Sequence, residues 1–291
     1  MKTFFTPSTL EKIKKNESNP LKINNFLSVD ETTDLLNYRN SISKRMVDRE
    51  ESTKIPFNWN DSKILDNLKK KIENKTGQFT IRDFEPHFIT TRFPLRLHAD
   101  TGKDPNDVIF KNIVVPLEIN YQKNIKEKNF SHTVIFKNRW YERSALFTTK
   151  TKNNYDFIIK DINGNFVDII DIFDFKSNIE KKNNDKIIYK NSEFFVDDDF
   201  KDYITSLSKT KRYNQRTDKH IVNNINLDLE IYEKYMTHQP FEDCVSLEID
   251  KAFAWEPGSL LCWDRTRIHS SDNFLKNGIH SKTCIALFSS K

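Results

Sequence analysis

At Phe79 the hydrophobic period of this chain changes, and that change limits the folds open to it. Before it, apolar residues recur at helical spacing. Ile64, Leu65, Leu68 and Ile72 fall on one face of a helix that Asp61 can cap and Gly77 can end. Ser28 precedes VDETTDLLNYRNSISKRM, where acidic residues open the helix and basic ones close it, the polarity favoured by the helix dipole. Ser8 can cap TLEKIKKN. Residues 1–77 therefore read as helical support covering one side of a sheet. From Phe79 onward the period falls to two. Phe79–Arg82 and His87–Leu97 read as strands. In KNIVVPLEIN, Ile113, Val115, Leu117 and Ile119 alternate onto one face, and Pro116 marks an edge or a local irregularity. SHTVIFKNRWYE reads as a further strand. SLEIDKAFAWEPGSLLCWDR reads as two strands joined at Glu256-Pro257-Gly258, and Lys282–Ser289 as a closing strand. The expected class is mainly β with N-terminal helices.

Residues 150–226 are the least regular part. DFIIKDINGNFVDII reads as a hairpin turning at Asn163-Gly164. The rest is charged and mixed, ending in the basic LSKTKRYNQRTDKH. This stretch is expected to be an insertion, a lid or side wall, between strand-rich parts at 79–149 and 227–290. LDLEIYEKYMTH, just after it, reads as a helix. No repeat or linker divides the chain, so one domain is expected over 1–291.

Composition excludes some function classes. Net charge is +5, from 47 basic and 42 acidic residues, too mild over 291 positions to require a nucleic-acid partner. Three cysteines, Cys244, Cys262 and Cys284, lack the close spacing of a disulfide framework or a cysteine-rich zinc site. No apolar signal core follows the first residues and no run is long enough to cross a membrane. A soluble, cytoplasmic protein without a membrane partner is expected.

The chemistry centres on LRLHAD. His98 and Asp100 are two residues apart, so on an extended strand they point to the same side. PGSLLCWDRTRIHSSDNF then brings His269 at a strand end, and LKNGIHSKTCIALFSS brings Lys282 thirteen positions later. Two imidazoles and a carboxylate on one face of a metal leave the opposite positions open, the facial arrangement used with non-haem Fe(II). His280 is the alternative to His269. It lies two residues from Lys282, too close for the two roles to sit on separate strands. A buried cofactor carboxylate would need a cation, and Lys282, on the strand face of Cys284 and Ala286, can supply it. Arg96 and Arg267 each precede a histidine ligand by two residues and are candidates for an acidic substrate group. His132 is expected to be a hydrogen-bonded structural residue. Trp255, Trp263, Phe253 and Phe274 are expected in the core. His87, His220 and His238 have no partner legible in the sequence.

This ordering resembles the Fe(II)- and 2-oxoglutarate-dependent dioxygenase superfamily, nearest its phytanoyl-hydroxylase-like and prolyl-hydroxylase-like branches. The resemblance covers roughly 79–149 and 227–290, and HxD and WDRTRIHSSDNF are its specific parts. It implies a double-stranded β-helix, that is, a cupin-like jelly roll. It implies that His98, Asp100 and His269 ligate Fe(II) and that Lys282 pairs with the distal carboxylate of 2-oxoglutarate, with ascorbate as an accessory reductant. The implied reaction hydroxylates a C–H bond with release of succinate and carbon dioxide. Retention of Asp100 implies hydroxylation rather than halogenation. The sequence departs from the common pattern in having lysine where many relatives have arginine, and in a longer spacing from His269. A small molecule is the expected substrate. A peptidyl, prolyl-type hydroxylase, a cupin-like metalloenzyme without 2-oxoglutarate, and a non-enzymatic jelly roll gripping an anionic polymer through 209–216 are the alternatives.

Overall fold

Three helices open the chain in the computed structural model, which describes residues 4–48, 52–82, 85–123, 125, 128–147, 158–164, 166–168, 179–183, 185–189, 191–198, 200–201, 213–214 and 227–291. Helix α1 (Pro7–Lys15) is capped by Thr6, not Ser8, because Pro7 suits the first helical position, where its missing N–H is no loss. In α2 (Val29–Ser41), Ser28 forms a capping box with Glu31. In α3 (Lys63–Thr76) the cap is Ser62, because Asp61 closes the preceding turn at Trp59–Asp61; Gly77, with φ +86°, ends the helix.

The strands are β1 (Leu21–Ile23), β2 (Val47–Asp48), β3 (Ser52–Pro56), β4 (Thr80–Ile81), β5 (His87–Thr91), β6 (His98–Ala99), β7 (Ile109–Tyr121), β8 (His132–Arg139) and β9 (Ala145–Leu146). They continue with β10 (Ile158–Lys160), β11 (Phe166–Asp168), β12 (Glu180–Asn183), β13 (Lys186–Tyr189), β14 (Ser192–Phe195) and β15 (Tyr213–Asn214). After α4 (Leu229–Tyr235), capped by Asp228, come β16 (Ile249–Ala254), β17 (Leu260–Asp264), β18 (Arg267–Ser271) and β19 (Ile279–Ser290). The described residues are thus mainly antiparallel β, joined by helices α1 to α4.

Two sheets dominate. An eight-stranded sheet runs β1-β17-β7-β19-β5-β3-β2, with β4 also on β19, and a six-stranded sheet runs β15-β9-β6-β18-β8-β16. From β5 to β8 successive strands alternate between the sheets, and from β16 to β19 they do so again. Ile135 of β8, Leu261 and Trp263 of β17, and Cys284 and Ala286 of β19 pack together, so these faces meet in one apolar layer. On the far side of the eight-stranded sheet, Leu35 of α2 and Leu65, Leu68 and Ile72 of α3 cover Ile113, Val115, Leu260, Ile285 and Leu287. Met236 and Leu247, with Tyr232 and Tyr235 of α4, cover Val134, Phe136 and Ile268 of the six-stranded sheet.

Several expectations need correction. Residues 1–77 are not wholly helical: β1 pairs with β17 and β3 with β5. These segments are too short to display a period, and their backbone groups are satisfied by strands much later in the chain. His87–Leu97 is strand only to Thr91, and His98 lies in a separate short strand that Asp100 follows. The closing strand starts at Ile279 and His269 lies inside β18, not at its end. Pro116 marks an irregularity within a strand that has neighbours on both sides. Cys284 pairs with Pro116 and Thr283 with Glu118, leaving Leu117 as the extra residue of a bulge. The bulge resets the alternation: Ile113, Val115 and Leu117 face the helices, whereas Ile119 joins the layer between the sheets.

The hairpin at Asn163-Gly164 is present, with Gly164 at φ +81° and β10 paired to β11. Strands β12, β13 and β14 form a separate meander. Most of the basic 207–220 stretch, including all of 209–216 except Tyr213 and Asn214, lies outside the described residues, as does His220. The Glu256-Pro257-Gly258 turn is also present, but it carries the chain from one sheet to the other rather than closing a hairpin.

Two stability measurements follow. Gly258 has φ +79°, and a Cβ there would lie 3.0 Å from the Leu27 carbonyl oxygen. Gly258→Ala is expected to lower unfolding free energy by more than about 1 kcal/mol in urea titration. His87 is buried, donates Nδ1–H to the Glu85 carbonyl at 3.0 Å and stacks on Phe288. Burial, aided by the Lys54 ammonium, holds its imidazole down at about 4. An unfolded histidine titrates near 6.5, so the unfolded chain binds the extra proton between about pH 6.5 and 4. Stability falls as pH drops through that window, and His87→Gln is expected to make the fall shallower.

Candidate metal centre

The register of β18 against β6 places His269 directly opposite His98. Their rings lie 4.1 Å apart, and Asp100 follows on the loop leaving β6. Asp100 Oδ2 is 3.1 Å from His269 Nε2 and 3.5 Å from His98 Nε2. One ligand atom from each residue falls within 4.8 Å of the others, and all three residues are buried. The described residues hold no other such cluster.

The ring tautomers suit metal binding. His98 Nδ1 is 2.6 Å from the Arg96 carbonyl and His269 Nδ1 is 3.0 Å from the Arg267 carbonyl. A carbonyl can only accept, so each Nδ1 carries a proton and Nε2, the nitrogen turned toward Asp100, is left as the ligand atom of the neutral ring. Both rings use the carbonyl two residues back, so each β-strand backbone orients its own ligand. Asn112 Nδ2 donates to Asp100 Oδ2 at 3.3 Å. Arg265, fully buried, donates Nε–H to the Asp100 carbonyl at 2.7 Å and reaches the Ser289 carbonyl at 3.2 Å. Trp263 sets its indole edge-on to the His269 ring at 5.0 Å. The donor set of two imidazoles and one carboxylate fits a first-row divalent cation and leaves coordination positions open, as non-haem Fe(II) requires.

Lys282 is also buried and shares the layer between the sheets with Cys284 and Ala286. Its Nζ donates to Ser131 Oγ at 2.8 Å and sits over the rings of Trp255 at 4.8 Å and Phe274 at 4.9 Å. Burial pulls its ammonium down to about 8, against the opposing influence of Asp272. Among the described residues no carboxylate lies within ion-pair distance of Nζ.

The structure does not bring Arg267 to the triad. The pairing of β18 with β8 shifts between Arg267 and His269, and the guanidinium turns to Asp250 at 2.5 Å, with Nε 4.0 Å from Asp264. Arg96 contributes its carbonyl to His98; its side chain is half-buried. His280 is exposed, away from the cluster. His132 bonds Asp272 at 3.2 Å. Trp255, Trp263 and Phe274 are buried and Phe253 is half-buried. His238 reaches the Leu95 carbonyl and Ser270 Oγ, both at 3.2 Å.

Sequence reasoning missed Asn112, Arg265, Ser131 and Asp272. Asp272 had a signal, since it lies three residues beyond His269 in the same motif. Asn112 alternates with apolar residues in β7 and could have been noted as the polar residue on the inward face.

No protein-family model matches this chain, and no curated protein matches it. Among solved structures, a prolyl-4-hydroxylase from Pseudomonas putida aligns over 98% of this chain and 97% of its own, with 9% identity and a TM-score of 0.42. The product of GlcNAc Inducible Gene 2 from Candida albicans aligns over 99% of this chain and 64% of its own, with 12% identity and a TM-score of 0.32. No helix of the described residues is long and apolar enough to cross a membrane.

The metal centre is testable directly. Equilibrium dialysis against Fe(II) without oxygen, or Co(II), is expected to give about one ion per chain, lost in His98→Ala and His269→Ala. Asn112→Leu is expected to weaken binding about 10-fold to 100-fold by releasing Asp100. Retention by both histidine variants would exclude this site.

Proposed function

We propose that this protein is an Fe(II)- and 2-oxoglutarate-dependent dioxygenase that hydroxylates a C–H bond of a small molecule. The observation that carries the reading is a buried ammonium, Lys282, that has no direct carboxylate partner among the described residues and lies in the same layer between the sheets as a buried His98, Asp100 and His269 cluster. An unpaired buried charge is costly, and a dicarboxylate that reaches both groups would relieve that cost. The register gives a scale for the reach. His269 pairs with Ile135 on β8, and Lys282 bonds Ser131 four residues along, roughly 13 Å of extended chain. The double-stranded β-helix reading is supported by the alternation of strands between the two sheets.

When bound, Fe(II) with 2-oxoglutarate supplies oxidative decarboxylation to succinate and carbon dioxide, coupled to C–H oxidation. His98, Asp100 and His269 would hold the metal from one side. Their backbone hydrogen bonds commit each Nδ1 to donating and point each Nε2 at the metal position, and Asn112 steadies the carboxylate. Lys282 would hold the distal carboxylate, while the Trp255 and Phe274 rings exclude water and strengthen that contact. The chain supplies orientation and electrostatics, and the difficult chemistry belongs to the cofactors. Ascorbate would serve as an accessory reductant.

The test is succinate formation from 2-oxoglutarate with Fe(II), ascorbate and air. Slow uncoupled turnover is expected, absent in His98→Ala. In Lys282→Ala it should return only at much higher 2-oxoglutarate. Metal binding without succinate and without an anaerobic charge-transfer band would move the assignment to a metalloenzyme independent of 2-oxoglutarate. Activity unaltered in Lys282→Ala would remove the lysine from the site.

A further inference from the structure

The hydrogen bonds around Lys282 do not stop at Ser131. The Ser131 hydroxyl accepts from Lys282 Nζ at 2.8 Å and donates to Asp272 Oδ1 at 2.6 Å. Asp272 Oδ2 lies 3.2 Å from His132 Nδ1 and accepts from Asn277 Nδ2 at 3.3 Å. Asp272 and Ser131 are fully buried, and Lys282 is 4% exposed. Burial alone would raise the Asp272 carboxyl, but His132, Lys282 and Ser131 hold it below its ordinary value.

We propose that Asp272 is a positioning residue for the anion site, acting through Ser131 to aim the Lys282 ammonium and keep it charged for the distal carboxylate of a dicarboxylate co-substrate. This inference rests on the co-substrate reading above. A hydroxyl has one proton. Because Ser131 spends it on Asp272, it must present a lone pair to Nζ. That fixes the position of Nζ and the direction of its two remaining N–H bonds. An asparagine at 272 could instead donate to Ser131, reversing the hydroxyl and turning its proton toward Lys282.

The surroundings leave Asp272 this role. Ser131 immediately precedes β8, His132 opens it, and the segment after β18 supplies Asp272, Phe274 and Asn277. The neighbours of Lys282 in the sheet register are uncharged, Thr91 on β5 and Ile119 on β7. Cys284 on the same strand is a neutral thiol, which burial pushes up to about 12. The titratable groups about Nζ are thus Asp272, His132 behind it, Cys284 and, from the segment after α4, His238, whose imidazole feels both Lys282 and Asp272 and is held down to about 4 by burial.

The experiment has two readouts. The first is a pH titration of the Lys282 side-chain ammonium by NMR in metal-free, lysine-labelled protein, assigned by its loss in Lys282→Arg. Asp272→Asn is expected to lower the midpoint by about one pH unit or more, a tenfold change in proton affinity. The second is anaerobic titration of the Fe(II)-loaded protein with 2-oxoglutarate at about pH 6.5 and about pH 8.5. Affinity in Asp272→Asn should fall between these pH values about tenfold more than in the wild type. Lys282→Arg/Asp272→Asn, whose cation cannot deprotonate, should lose that extra fall. An unchanged midpoint with an unchanged pH profile would overturn the proposal. Tighter binding in Asp272→Asn would do so as well, by making Asp272 a competitor for Lys282. If Asp272→Asn does not fold, Ser131→Ala is read instead. It should weaken binding even at about pH 6.5, and unaltered affinity there would overturn the positioning role. Absence of a charge-transfer band in the wild type would sink the co-substrate reading, while the NMR midpoint would still decide whether Asp272 governs Lys282.

Discussion

The pairing of His269 with His98 is the constraint on which the site depends. β6 has two residues, and its contact with β18 is set by that one register pair. A slip by one residue would turn His269 outward and bring Ile268 inward, because side chains alternate along a strand. Ile268 is fully buried among Leu97, Val134 and Phe136 on the other face, so the slip would also expose a core residue. Apolar packing on one side of β18 therefore maintains the ligand geometry on the other. The two carbonyl bonds to the histidine rings orient both imidazoles from their own strands, and Asn112 and Arg265 hold Asp100 between them.

The treatment of buried charge separates scaffold from site. Lys111 and Arg139 meet Asp264, Arg139 also meets Glu17 at 3.2 Å, and Arg267 meets Asp250. The first three pairs fasten the segment after α1 to the end of β17, the last joins β18 to β16, and each of these cations has a carboxylate at hand. Removing one partner from such a pair leaves an uncompensated charge and destabilises strongly. Lys282 is treated differently. The Asp272 carboxylate reaches it only through the Ser131 hydroxyl, and aromatic rings occupy the space beside it. A scaffold built only for stability would use a direct pair or an apolar residue at that position.

Much of this was legible in the sequence, for identifiable reasons. The change of period at Phe79 reflects burial on one face, which acts on every residue of a long strand. His98 and Asp100 were readable as partners because two-residue spacing has one geometric meaning in extended chain. Short strands were not readable. Leu21–Ile23 and Ser52–Pro56 take their conformation from partners far along the chain, and no local pattern encodes that. Leu117 shows a second limit, since one extra residue reverses the facing of all that follows, so Ile119 could not be assigned by alternation. Arg267 shares its spacing with Arg96, yet a shift in pairing and the nearby Asp250 take it elsewhere. Ser131 and Asp272 are 141 positions apart, and only the fold brings them together.

The long reach of the pairings bears on how the protein can be made. β19 lies between β7 and β5, and it follows both in the chain by well over a hundred residues. Until it leaves the ribosome, β7 and β5 each have an open edge, and the lysine that the site uses has not been added. The N-terminal helices meanwhile have half a sheet to cover. Such a chain cannot mature in stages from its beginning. Its newborn form must wait with apolar strand edges exposed, a period in which chaperones or fast completion of translation would matter most. Loss of residues 279–290 would remove a central strand together with Lys282.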